Sequence, residues 1–110
     1  MGVTKTERFT DSQNELALFA KALGHPARVA ILEFLLKTDK CICGDIVNEL
    51  PLSQPTVSQH LRALKEADLI RGNIEGTAIC YCINPEPFKK FRAVVGAFIK
   101  EYSNNPTNCC

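Results

Sequence analysis

Six cysteines among 110 residues are the side chains best equipped for chemistry in this chain. They fall in three close pairs: Cys41 with Cys43, Cys80 with Cys82, and Cys109 with Cys110. The opening MGVTKTERFTDSQNE is too polar for a secretory signal, so a disulfide-stapled secreted scaffold is not expected. Paired thiols in a reducing, cytoplasmic setting point instead to metal, metalloid or redox chemistry. A plainer role stands beside that one, because free cysteine also packs as a small buried hydrophobe.

A second set of functional side chains lies in Leu52–Ile70, LSQPTVSQHLRALKEADLI. Ser53 suits an N-cap, and Pro55 falls in the first turn, where its missing N–H costs nothing. Val57, Leu61 and Leu64 recur at helical spacing and define a buried face. The other face carries Gln54, Ser58, Gln59 and Arg62, flanked by Thr56, His60 and Lys65, and no acidic residue occurs from Ser53 to Lys65. Gln and Arg make bidentate contacts to base edges, while Ser, Thr and Lys reach phosphates, so this face suits a DNA major groove. An ordinary solvated helix face would read the same way in isolation. His60, beside a core Leu, also fits a structural role.

The surrounding elements must position these groups. Helical periodicity predicts a first helix from Ser12, with Glu15 completing its cap, to about Leu23. A very apolar second helix follows from Ala27 to about Lys37, the kind that sits centrally in a core. A short helix from about Cys43 to Leu50 ends at Pro51, and a tight turn leads into the polar-faced helix, which makes a helix-turn-helix. Leu69–Ile74 and Thr77–Ile83 flank Glu75-Gly76 and predict a β-hairpin. In its second strand Ile79, Tyr81 and Ile83 share the face expected to pack on the helices, leaving Cys80 and Cys82 more exposed. A last helix runs from Pro87 to about Tyr102. Phe88, Phe91, Val94, Val95, Phe98 and Ile99 give it more apolar surface than one small domain covers, so part of it is expected in a subunit interface. The division is a flexible N-terminus (1–11), one domain (12–102) and a mobile tail (103–110) carrying Cys109 and Cys110. The fold class is mainly α with a small β-hairpin, dimeric.

The net charge of +1 excludes binding to polyanions by bulk charge, so any nucleic-acid contact needs a local patch such as Arg62, Lys65 and Arg71. No apolar run approaches the ~20 residues of a membrane span. No acid/base or nucleophile constellation suggests an enzyme, and nothing requires a cofactor.

The order of elements is that of a winged helix-turn-helix, and the sequence resembles the ArsR/SmtB family of metal-responsive bacterial repressors from about residue 15 to residue 100. Leu23-Gly24-His25-Pro26-Ala27-Arg28-Val29-Ala30-Ile31-Leu32 is similar to the family's second-helix signature. Ser53-Gln54-Pro55-Thr56-Val57-Ser58-Gln59-His60-Leu61 is similar to its recognition helix. Ala67-Asp68-Leu69-Ile70 stands where the family usually has Ala-Gly-Leu-Val, and Gly76 and Tyr81 match its wing. The resemblance implies a homodimer joined through the first and last helices. It also implies binding to an inverted-repeat operator in double-stranded DNA, with release when an inducer ion binds. It places Gln54, Thr56, Ser58, Gln59, His60 and Arg62 on the DNA, with Lys65 beside them, and Arg71, Asn73 and Thr77 of the wing near backbone or minor groove.

The cysteines depart from the family pattern. Aligning Asp45-Ile46 with the family's Asp-Leu puts Ile42 and Gly44 at the usual thiol positions, one residue from Cys41 and Cys43. On a helix that slip turns a side chain by about 100°. The last helix offers Lys89, Lys90, Arg92 and Lys100 but no His, so the family's zinc site is missing. Arsenite prefers three thiolates: Cys109 and Cys110 would supply two, and Cys41 or Cys43 a third. Cys80 and Cys82, roughly 6.5–7 Å apart along one strand face, form a separate candidate pair. The expected inducer is therefore As(III) or another thiophilic ion. A thiol-redox switch on the same repressor is the alternative, and a metal-trafficking or interaction module that does not bind DNA is another.

Overall fold

Each helix begins where the chain offers a cap. The computed structural model describes residues 8–38, 41–43, 46, 50–76 and 78–104. Helix α1 spans Asp11–Ala22 behind Thr10, whose hydroxyl accepts from the Gln13 N–H at 3.1 Å while Gln13 Oε1 accepts from the Thr10 N–H at 2.9 Å. This reciprocal box satisfies two orphan donors and sets the start just before the expected Ser12. Helix α2, Pro26–Leu36, opens on proline, and its N-cap is His25, whose Nδ1 accepts from the Ala27 N–H at 3.0 Å.

Strand β1, Ile42–Cys43, corrects the sequence reading, which put Cys43 in the first turn of a helix. The remainder of that expected helix lies outside the described residues except Ile46, which is helical and buried, and Leu50. Helix α3, Gln54–Glu66, starts from Ser53, but the Ser53 hydroxyl bonds the Thr56 hydroxyl at 3.0 Å and no backbone N–H. It ends in a Schellman turn: the Asp68 N–H donates to the Lys65 carbonyl at 2.9 Å and the Leu69 N–H to the Leu64 carbonyl at 3.1 Å. Asp68 takes the left-handed position at φ 63°, a conformation that favours glycine. A Cβ there costs energy, so Asp68→Gly should raise stability by about 1 kcal/mol and the melting temperature by roughly 4–8 °C. A thermal melt beside the wild type checks this; an unchanged midpoint would mean that Asp68 recovers the cost through contacts of its own.

Strands β2, Ile70–Glu75, and β3, Ala78–Ile83, form the wing around Gly76 at φ 65°. The hairpin is joined by β1 into an antiparallel sheet of order β1-β3-β2, with Ile42 opposite Tyr81 and Cys43 opposite Cys80. Because β3 is flanked on both sides, Cys80 is fully buried and Cys82 half-buried, against the expectation that both thiols would be exposed. Tyr81 and Ile83 do pack on the core, while Ile79 is left exposed.

Helix α4, Pro85–Asn104, begins two residues before and ends two residues after the expected span, so Ser103 and Asn104 belong to it and not to a tail. The core joins Phe19 and Ala22 of α1, Ile31, Leu32 and Leu35 of α2, Val57, Leu61 and Leu64 of α3, and Leu69 and Ile70 leading into the wing. Helices α1 and α4 meet through Phe19 edge-on to Phe91, with centroids 5.3 Å apart, and through the Glu15–Lys90 ion pair. Further along α4, Phe98, Ile99 and Tyr102 are exposed, as is Leu18 on α1. Among the described residues, no helix is long and apolar enough to cross a membrane.

Candidate nucleic-acid interface and cysteine site

The outer face of α3 follows from its buried seam. Val57 and Leu64 are fully buried and Leu61 nearly so. At about 100° per residue, Gln59 lies almost diametrically opposite that seam and Arg62 about 130° from it. Both are exposed, as are Gln54, Ser58 and Lys65, while Thr56 is partly buried on the far flank. Lys65 Nζ lies 3.7 Å from the point a Cβ would occupy at Gly72, so its ammonium spans helix and wing. Arg71 and Asn73 are exposed on β2, and Thr77 lies outside the described residues.

His60 does not join this face. It is 8% exposed, its Nδ1 accepts from Arg28 Nε at 3.1 Å, and its ring lies 4.3 Å from that of His25. The reason is its place about 60° from the seam, on the side where α2 packs. Arg28 is the residue that sequence reasoning passed over. Its Nη1 also donates to the last carbonyls of α1, Lys21 at 3.2 Å and Ala22 at 3.3 Å. One guanidinium thus ties α1, α2 and α3 together. The available signal was a lone arginine in the apolar run PARVAILEFLL.

Burial lowers the proton affinity of His60 below its usual 6.5, and the neighbouring His25 and Arg28 lower it further. The unfolded chain therefore takes up this proton first as pH falls. Stability is full above the unfolded pKa and declines as pH drops from 6.5 toward the folded value. Urea unfolding at pH 7.5 and 5.5 should show the loss, and His60→Gln should shrink it. An equal loss in the variant would assign it to other groups.

The sheet register determines which cysteines meet. Cys41 and Cys82 lie opposite each other across β1 and β3 and form a disulfide, with Cα atoms 4.4 Å apart. Neither of the sequence-adjacent pairings supplies this bond. Arg71 Nε donates to Cys82 Sγ at 3.5 Å, and Asn73 Nδ2 donates to Cys41 Sγ at 3.5 Å and to Cys82 Sγ at 3.9 Å. Cys80, opposite Cys43 in the register, is also disulfide-bonded. Cys109 and Cys110 lie outside the described residues. Among the described residues, no group of three His, Cys, Asp or Glu is placed to hold a metal ion.

Comparison with known proteins agrees with this architecture. The family model "Bacterial regulatory protein, arsR family" matches residues 25–71. An uncharacterised HTH-type transcriptional regulator of Methanocaldococcus jannaschii is 38% identical over 76 residues, covering 68% of this chain and 84% of that protein. The arsenical resistance operon repressor of Staphylococcus xylosus is 33% identical over 75 residues, covering 68% of this chain and 71% of that protein. Among solved structures, the homodimeric winged helix-turn-helix DNA-binding domain of a possible ArsR-family regulator from Mycobacterium bovis superposes with TM-score 0.62 at 28% identity, covering 82% of each chain. This chain belongs to the ArsR family of winged helix-turn-helix transcriptional regulators.

Proposed function

We propose that the protein is a cytoplasmic transcriptional repressor that binds an inverted-repeat operator as a homodimer and is released by a thiophilic inducer, with arsenite the first candidate. The observation that carries the DNA reading is the acid-free outer face of α3, with Gln59 and Arg62 opposite the buried seam and Arg71 and Asn73 beside it on the wing. With a net charge of only +1, such a patch must act locally, and a two-fold dimer presents it twice, about one helical turn of DNA apart. The exposed Phe98, Ile99 and Tyr102 of α4 support a subunit contact there. The arsenite reading draws on the name of the Staphylococcus xylosus relative and on the thiols gathered at the wing. Thiol ligation that favours the non-binding dimer weakens operator binding by the same coupling energy.

Fluorescence anisotropy of the reduced protein on DNA from upstream of its own coding sequence, at stated salt, tests this. Tight binding released by arsenite, and not by zinc, is the expected result. Tight binding indifferent to every thiophilic ion would remove the inducer reading, and no specific binding would remove the operator reading.

A further inference from the structure

We infer that Cys41 and Cys82 form a regulatory modification site: a low-molecular-weight disulfide oxidises the two thiols to one cross-strand bond, and the closed protein holds operator DNA more tightly than the open one. The inference rests on the wing being part of the DNA-binding surface.

The fold prepares this pair. The register of β1 on β3 puts the residues opposite each other at a Cα separation of 4.4 Å, within the range a disulfide spans without backbone movement. Both side chains are half-buried, which leaves a path for a small reagent. A guanidinium lies against one of the sulfurs, since Arg71 Nε is 3.5 Å from Cys82 Sγ. A cation so placed favours the thiolate, the species that attacks disulfides.

The chemistry closes in two exchanges. The Cys82 thiolate attacks one sulfur of the reagent RSSR, forming a mixed disulfide and expelling RS⁻. The Cys41 thiolate then attacks the Cys82 sulfur and expels the second RS⁻. Two protein thiols and one RSSR become one protein disulfide and two RSH, with two electrons passing to the reagent and the two thiol protons ending on the released RSH.

Closure changes the wing in two ways with the same sign. A negative sulfur beside Arg71 is replaced by a neutral one, so the guanidinium keeps its full charge for a phosphate while Nε retains only the 3.5 Å contact to the Cys82 sulfur seen in the closed form. Strand β1 is also tied to β3, so the wing is fixed before it meets DNA and loses less freedom on binding. Arsenite, by capturing the open thiols, would hold the wing in its weaker state.

The test equilibrates the full chain in glutathione buffers from fully reduced to mostly oxidised. DNA affinity is read by anisotropy and the bonded peptides by mass spectrometry. The expected result is an approximately fivefold tighter complex that appears together with the Cys41–Cys82 bond, which cleavage after Tyr81 distinguishes from a bond at Cys80. Cys41→Ser and Cys82→Ser should each bind as the reduced protein does and lose the response. A Cys41–Cys82 bond that leaves affinity unchanged or weakens it overturns the inference. So does a response that persists in Cys41→Ser, or oxidation that joins Cys41 and Cys82 to other partners. Failure to bind DNA specifically in every buffer counts against the operator reading itself, and the peptide map then decides the pair alone.

Discussion

Serine in place of Cys41 should lower the free energy of unfolding by up to about 4 kcal/mol, the full value holding when the Cys80 bond is also reduced. That is the loop-closure entropy removed from the unfolded chain by a bridge between residues 41 apart in sequence. For a domain whose total stability is of the order of 5–15 kcal/mol, this is a large share. The melting temperature should fall by roughly 15–30 °C. The comparison is urea and thermal unfolding of the wild type, the reduced wild type and Cys41→Ser at one protein concentration, because the midpoint of the proposed dimer would depend on concentration. Reductant should move the wild type strongly and the variant less, since Cys80 carries a bond of its own. Identical midpoints for all three would show that the bridge contributes nothing to stability.

The second large effect concerns α3. Replacing Gln59 and Arg62 together with alanine should weaken operator binding by about 100-fold or more, since each bidentate base contact is worth about 1–3 kcal/mol. Both side chains are exposed and remote from the core, so thermal stability should stay within about 0.5 kcal/mol of the wild type. Affinity lost while the melting curve is unchanged isolates recognition from folding. An unchanged affinity would remove these residues from the interface and favour a module that uses the winged helix for something other than DNA. Replacing His60 is predicted to act differently, through stability, because its ring is engaged by Arg28 and His25.

Local rules made most of the elements legible. The apolar run of α2, the seam Val57–Leu61–Leu64 and the Glu75-Gly76 turn each carry their signal within a few residues, and the structure has α2, α3 and the wing where those signals lie. The exact start of α1 was less legible. Thr10 with Gln13 and Ser12 with Glu15 both fit a capping box, and the structure forms the one at Thr10. What the sequence hides is register. Cys41 and Cys82 are partners because β1 lies antiparallel on β3, a pairing across 41 residues that no local pattern announces. Sequence adjacency pairs 41 with 43 and 80 with 82, yet residues two apart on a strand lie roughly 6.5–7 Å from each other. Cys43 read as helical because Ile46, Val47 and Leu50 continue a helical spacing, and only the neighbouring strand reveals an extended backbone there. The structural role of His60 was legible from its place beside Leu61, but its partner Arg28, reaching across from α2, was not.

The bond between Cys41 and Cys82 also alters the covalent topology of the molecule. Residues 41–82 become a closed ring that contains the whole of α3 and β2, with α1 and α2 attached at one point and α4 at the other. A protease that cuts once inside this ring releases no fragment. The nicked chain stays one covalent piece until a reductant reaches the sulfurs, and only then separates into an N-terminal part and a C-terminal part.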